Sequence, residues 1–247
     1  MLIGRFLFFF SFFFLFILRI LIVAMAKIIG EPDSIGTIRH YLLSQGISDI
    51  ESMEEIYEFY MKKIPFEDTK RRQVQKMLEV NTSFLIGAIG EEKVINTLRE
   101  LPDSYYVLNE IQIKLKRAVL WKKYLEYIKS AQIDHIVLGP TGIFLIETKN
   151  WESMDVSSIR NSPHKQIERA GTLFWIAQKH RFSNPYKFYN VVVTLKELPQ
   201  LEYKYVYQLP LDDLNKFILS RMRKLTLKQI EKIKNWLVTL HIVPINK

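Results

Sequence analysis

Hydrophobic and polar positions follow two rhythms along this chain. From residue 35 to 79 the spacing is helical: Ile38, Tyr41 and Leu42 recur at intervals of three and four, as do Ile56, Phe59 and Tyr60. Pro65 interrupts the pattern, and Thr69 stands where it caps the helix that follows. Another helix is predicted from a cap at Asn81, Thr82 or Ser83 to about Leu101, where Pro102 ends it. At about 100° per residue its Phe84, Ala88, Ile95 and Leu98 share one narrow arc with Glu91 in the middle. Glu92, Asn96 and Arg99 point to a solvent flank, and Gly87 and Gly90 suit a close approach of this helix to its neighbours. The rhythm then shortens to extended runs at Tyr105 to Leu115, Ile133 to Leu138 and Ile143 to Lys149. Ser162 caps a further helix with Pro163 in its first turn and Ile167, Ala170 and Phe174 on one face. Tyr189 to Leu195, with three consecutive valines, reads as a buried strand. Thr226-Leu227-Lys228-Gln229 is a capping box before a closing helix with Ile230, Ile233, Leu237 and Leu240 inward. Helix, three strands, helix, strand in that order predicts an α/β sandwich around a mixed sheet, with no internal repeat or long linker.

The first 26 residues are unlike the rest. Phe6 through Leu18 is broken only by Ser11 and holds eight of the 16 phenylalanines. A membrane span needs about 20 apolar residues, and extending this run to Ala26 places Arg19 inside it. A signal peptide would use Arg5 and the Ala24-Met25-Ala26 site, with Arg19 interrupting the approach. A buried core helix is disfavoured because the segment would be apolar all round. Met25 itself reads as an ordinary starting point for a soluble chain. Two readings stand: a start at Met25 and a cytoplasmic protein, or a membrane anchor with membrane contact through residues 6–25.

The 247 residues allow one core domain with appended elements, and the absence of cysteine excludes disulfides and thiolate metal sites. Lys and Arg number 35 against 26 Asp and Glu. Without Arg5 and Arg19 of the N-terminal segment there are still 33, a balance that favours polyanions such as nucleic acid. Lys62, Lys63, Lys70, Arg71, Arg72 and Lys76 give the early helices a basic cast, best read as a solvated face.

The chemistry concentrates in one predicted hairpin. Gly139-Pro140-Thr141-Gly142 is turn chemistry between two strand-like runs. With those residues as the loop, Leu138 lies opposite Ile143, Ile136 opposite Leu145 and Asp134 opposite Glu147, and Lys149 shares that face. Two carboxylates about 5 Å apart repel by about 3 kcal/mol at an effective dielectric near 20. Either Lys149 alone or a divalent cation offsets that. A hard ion such as Mg²⁺ (or Mn²⁺) takes carboxylate oxygens and keeps waters, the arrangement phosphodiester hydrolysis uses. Glu91, on a buried helix face, is either salt-bridged or a third acid for the same ion. The five histidines have no metal-ligand spacing, and His135 falls on the face opposite Asp134, where it packs or hydrogen-bonds.

Gly87-x-x-Gly90-Glu91, Ile133-Asp134-His135, Gly139-Pro140-x-Gly142-Ile143-Phe144 and Glu147-Thr148-Lys149, in this order, resemble the nuclease-related domain, NERD. That family is similar in turn to the PD-(D/E)xK superfamily. The resemblance covers roughly residues 81 to 195 and implies a restriction-endonuclease-like mixed sheet flanked by helices. It implies that Glu91, Asp134 and Glu147 are metal-facing acids, that Lys149 is the catalytic lysine, and that Gln166 of Ser162-Pro163-x-x-Gln166 supports the site. The chain departs from the family pattern in lacking a glycine soon after the lysine, where it reads Asn150-Trp151-Glu152-Ser153. The span between Leu115 and Ile133 is also long and basic, with Trp121, Tyr124 and Tyr127 among its cations. It reads as an amphipathic helix packed on the core, or as a nucleic-acid contact.

The expectation is therefore a hydrophobic segment over 1–26, a helical basic region over 27–80, a nuclease core over 81–195 and a C-terminal helical extension over 196–247. The expected activity is metal-dependent hydrolysis of nucleic acid, DNA in preference to RNA. The alternative is a non-catalytic nucleic-acid-binding or membrane-tethered module on the same fold.

Overall fold

The computed structural model describes residues 25–48, 52–61, 68–149, 162–195 and 203–241. The N-terminal apolar run, Lys62, Lys63, Pro65 and the stretch Asn150 to Ser153 lie outside these. Among the described residues no helix is long and apolar enough to cross a membrane.

Six strands form one sheet in the order β1 to β6: β1 (Lys27–Ile29), β2 (Tyr106–Trp121), β3 (Glu126–Gly139), β4 (Gly142–Lys149), β5 (Phe188–Thr194) and β6 (Tyr207–Pro210). The strands β2, β3 and β4 are antiparallel, whereas β1 is parallel to β2, and β5 and β6 continue parallel from β4. The sheet is mixed, as the element order predicts. Two strands are unforeseen. The three-residue β1 precedes the first helix, and β6 follows the strand expected to close the sheet; both are too short for a period-two signal.

Among the described residues there are seven α-helices: α1 (Asp33–Ser44), α2 (Met53–Met61), α3 (Thr69–Val80), α4 (Thr82–Arg99), α5 (Pro163–Arg181), α6 (Leu214–Leu219) and α7 (Leu227–His241). One sheet face packs Leu108, Ile136, Ile143 and Leu145 against Ile167, Ala170 and Phe174 of α5 and Ile230, Ile233 and Leu237 of α7. The other packs Val107, Val137, Phe144 and Ile146 against Val94 and Leu98 of α4 and Leu214 and Phe217 of α6. A third cluster joins α1, α2 and α3 to Leu85, Ala88, Ile89 and Ile95 of α4. Each inward helical face removes apolar side chains from water, about 1.5–3 kcal/mol for each large one fully buried.

Local details differ from the sequence expectation for identifiable reasons. Asp68, not Thr69, caps α3 by accepting the Arg71 backbone N–H at 2.8 Å; a carboxylate one residue earlier reaches that orphan donor. Phe84 is 42 % exposed because Leu85, one position on, takes the inward place. Glu92 is not a solvent residue: it accepts the Met53 N–H at 2.8 Å, capping α2, and pairs with Arg39 at 3.3 Å. A Cβ on Gly87 would meet nothing within 4 Å, so close packing is not the reason for that glycine. Lys70, Arg71, Arg72 and Lys76 are exposed on α3.

The basic span between Leu115 and Ile133 is strand, not helix. It forms the outer part of the β2–β3 hairpin, with a register shift between Lys114 and Val119. Cross-strand pairs such as Trp121↔Glu126 decide the matter over helical spacing. This arm rests on α5: Lys123 pairs with Glu168 at 2.6 Å, the Tyr124 hydroxyl donates to the same carboxylate at 2.9 Å, and Lys165 pairs with Glu126 at 2.5 Å.

Candidate active site

The β3–β4 ladder pairs Gly139↔Gly142, Leu138↔Ile143, Ile136↔Leu145 and His135↔Ile146, the register that the Gly-Pro-Thr-Gly turn predicts. Pro140 and Thr141 are the turn proper. Gly139 has no room for a side chain, since a Cβ there would lie 2.1 Å from the Tyr105 ring. At the far end Asp134 does not continue the pairing. Its Oδ2 instead accepts the Thr148 backbone N–H at 2.8 Å. Lys149 Nζ lies 2.7 Å from Glu147 Oε1, with the lysine side chain 28 % and the glutamate 7 % exposed. Thr148 between them has a buried hydroxyl with no partner.

These side chains sit where the alternation of the sheet slips. Leu108 and Ile111 enter the same core, as do Ile133 and Ile136, although an uninterrupted strand would turn each pair to opposite faces. At the slip Glu110 has φ of 54°, a left-handed backbone uncommon outside glycine. The flanking pairs Asn109↔His135 and Ile111↔Ile133 put Glu110 across from Asp134. A backbone so held costs of the order of 1–3 kcal/mol and persists only where its surroundings fix it. Here Gln132 donates to the Glu110 carboxylate from the adjacent strand. Glu110 is the acid that sequence reasoning missed. The available signal was a lone carboxylate in the otherwise apolar and amide run Val107 to Ile113.

Glu91 comes to the cluster from α4, where Ser34 at the start of α1 donates its hydroxyl to Oε2. Burial raises Glu91 from 4.5 to about 7; the Ser34 bond opposes that rise and the Asp134 charge adds to it. Burial, then the charges of Glu91 and Asp134, raises Glu110 to about 7 as well. Asp134 is raised by burial against the pull of Lys149. Glu147 is raised by burial and then by Asp134. Lys149 is raised as well: burial works against its charge, but Glu147, Asp134 and Glu91 outweigh burial and hold the ammonium above its ordinary value. Glu91, Asp134 and Glu147 thus share the field of one cation, and Glu110 adds its charge beside Glu91 and Asp134.

Such an excess of negative charge suits a divalent ion. Among the described residues no three acidic or imidazole side chains converge closely enough to cage one. Mg²⁺ does not require a cage, because one or two carboxylates suffice while waters fill the remaining positions. Asp134 and Glu147 fit that demand, with Glu91 and Glu110 adding charge at longer range. His135 does not join them. Its Nδ1 lies 2.8 Å from Asn109 Oδ1, and Asn109 donates to the Gly30 carbonyl at 2.8 Å. Burial lowers its pKa to about 3, so the ring is neutral and ties β1 to the sheet. Gln166 is exposed in the first turn of α5, and no hydrogen bond links its side chain to the acids.

Comparison with known proteins finds one family whose model matches part of the chain. Residues 86–194 match the family model of the nuclease-related domain. That span contains Glu91, Glu110, Asp134, Glu147, Lys149 and Gln166, and assignment to a PD-(D/E)xK-like nuclease superfamily is consistent with it. A stretch of 67 residues is 43 % identical to an uncharacterized protein of Bacillus anthracis, covering 27 % of this chain and 27 % of that relative. The chain therefore spans about a quarter of the length of the curated relative it matches. No solved structure matches.

Proposed function

We propose that this protein is a metal-dependent phosphodiester hydrolase acting on nucleic acid, DNA in preference to RNA, a reading supported by the match of residues 86–194 to the nuclease-related domain. One observation carries the reading: Glu91, Asp134 and Glu147 converge electrostatically on the Lys149 ammonium at one end of the sheet. An unneutralised group of buried acids is costly, and binding a cation is the function that compensates for it.

In this reading Asp134 and Glu147 would hold the ion, with Glu91 as the third acid facing it. Bound there, Mg²⁺ or Mn²⁺ would acidify a water and neutralise phosphate charge. Lys149, aligned by Glu147 at 2.7 Å, stabilises negative charge that grows on the phosphate as the bond breaks. Ser34 orients the Glu91 carboxylate. Gln166 supports the site from the start of α5, where it is exposed enough to meet a substrate. Lys114, Lys116, Arg117, Lys122 and Lys129, exposed along the β2–β3 arm, contact the phosphate backbone. Their contribution is independent of base sequence.

Two variants test the division of labour. Lys149→Ala leaves the carboxylates, so it abolishes most cleavage while DNA still binds, because a group acting mainly in the transition state affects turnover more than affinity. Asp134→Ala removes a ligand and so weakens Mg²⁺ binding as well. A second reading, a binding module without catalysis, is favoured by the absence of a three-acid cage among the described residues. It prevails if wild type and Lys149→Ala bind nucleic acid alike and neither cuts DNA or RNA with Mg²⁺ or Mn²⁺.

A further inference from the structure

Away from the acids, a cleft of about 860 Å³ opens between α5, β5 and β6. Its wall includes Phe188, Tyr189 and Asn190, which pair with Ile143, Phe144 and Leu145, whereas Glu147 and Lys149 pair with Val192 and Thr194. Asn190 is level with Leu145, so Lys149 lies roughly 13 Å further along the strand at about 3.3 Å per residue. The cleft is a separate site.

Three features define what it takes. Trp175, Tyr205 and Tyr207 line it and are 38 %, 61 % and 43 % exposed, so their rings present apolar faces to solvent. Lys187, Lys204 and Lys224 line it too. The acid in its wall, Glu168, is engaged by Lys123 at 2.6 and 2.7 Å and by Tyr124 at 2.9 Å. The cleft is therefore cationic. At its base Asn190 is only 9 % exposed. Its Nδ2 donates to the Tyr205 carbonyl at 3.3 Å, which fixes the amide orientation. That leaves Oδ1 buried with no partner, an acceptor whose desolvation is uncompensated. Gly171 makes the room: a Cβ there would come 2.5 Å from Asn190 Oδ1.

We propose that this cleft binds a nucleotide unit, with the base against the aromatic rings and the phosphate held by the lysines. Rings and cations together select a planar base joined to an anion. Stacking on exposed aromatics tolerates any base, and lysines follow a phosphate backbone. The volume lies in the range of clefts that enclose small organic ligands. A segment of single strand and a free nucleotide share this chemistry. The proposal does not depend on cleavage at the acid cluster.

Fluorescence anisotropy of a labelled eight-residue oligothymidylate in EDTA, with the full chain, tests it. Trp175→Ala and Tyr205→Ala each weaken binding by about five- to a hundredfold, the usual range for losing a base-stacking ring. Both side chains are exposed, so neither change threatens the fold. An abasic oligomer of the same length binds more weakly than oligothymidylate and responds to neither change. Thymidine 5′-monophosphate as competitor separates the sources: displacement at similar concentration assigns the cleft to free nucleotides, and failure to displace assigns it to strands. Variants that bind like wild type, or inorganic pyrophosphate competing as well as the nucleotide, overturn the proposal. A protein that cuts nothing yet shows base-dependent binding keeps the cleft and loses the nuclease reading. One that cuts but binds abasic and normal strands alike does the reverse.

Discussion

Glu110→Gln removes one of four clustered carboxylates while keeping the shape of the side chain. Folding raises this group from 4.5 to about 7, through burial first and then through Glu91 and Asp134. Below pH 4.5 both folded and unfolded states carry the proton, and the acid has no effect on stability. Between there and about pH 7 the unfolded chain ionises first, so the folded state binds more protons and loses stability as pH rises. The full penalty is present above pH 7. At about 1.4 kcal/mol per pH unit the shift corresponds to about 3 kcal/mol. Glu110 is partly exposed, and Glu91 and Asp134 titrate with it, so about half of that survives screening, roughly 1–2 kcal/mol. At about 2–4 °C per kcal/mol for a chain of this size, Glu110→Gln raises the Tm by about 2–8 °C at pH 8 in EDTA. At pH 5 it leaves the Tm nearly unchanged. Circular-dichroism melts of both proteins at the two pH values measure this directly. Mg²⁺ at pH 8 stabilises wild type more than the variant, since the ion offsets the same repulsion. A variant that loses stability equally at pH 5 and pH 8 refutes the reasoning, because Glu110 then contributes packing or a hydrogen bond and not misplaced charge.

Three further outcomes follow from the packing and the charges. Replacing Lys116 and Arg117 with alanine lowers the slope of log affinity against log salt by about one per residue, with little change in sequence preference, measured by DNA titration across salt concentrations. Glu168→Gln weakens the contacts of Lys123 and Tyr124, so limited proteolysis cuts the β2–β3 arm sooner while the core persists. Gly139→Ala drives a Cβ to within 2.1 Å of the Tyr105 ring and costs about 1–3 kcal/mol by overpacking, read as a lower denaturant midpoint.

The parts of the fold legible in sequence were those governed by local rules. The Gly-Pro-Thr-Gly turn fixed the β3–β4 register down to His135↔Ile146. The Ser162 cap and the Thr226–Gln229 box both form, with Ser162 accepting the Lys165 N–H at 3.2 Å and Gln229 accepting the Thr226 N–H at 2.8 Å. What escaped was decided by distant partners. The arm from Leu115 to Ile133 has basic and aromatic spacing compatible with a helix, yet cross-strand pairing and Glu168 make it a hairpin. Glu92 looked solvated until α2 folded over it and presented the Met53 N–H. Within the site, alternation counted from the hairpin grouped Asp134, Glu147 and Lys149. It could not reveal the slip at Glu110 and Asp134, because that depends on one left-handed residue and a facing strand.

Cleavage by the purified protein, with and without divalent metal, bears most directly on the central claim. The account predicts that DNA is hydrolysed in Mg²⁺ or Mn²⁺, that EDTA stops the reaction, and that Lys149→Ala is nearly inactive under the same conditions. Cleavage that persists in EDTA, or that Lys149→Ala carries out at the wild-type rate, contradicts it.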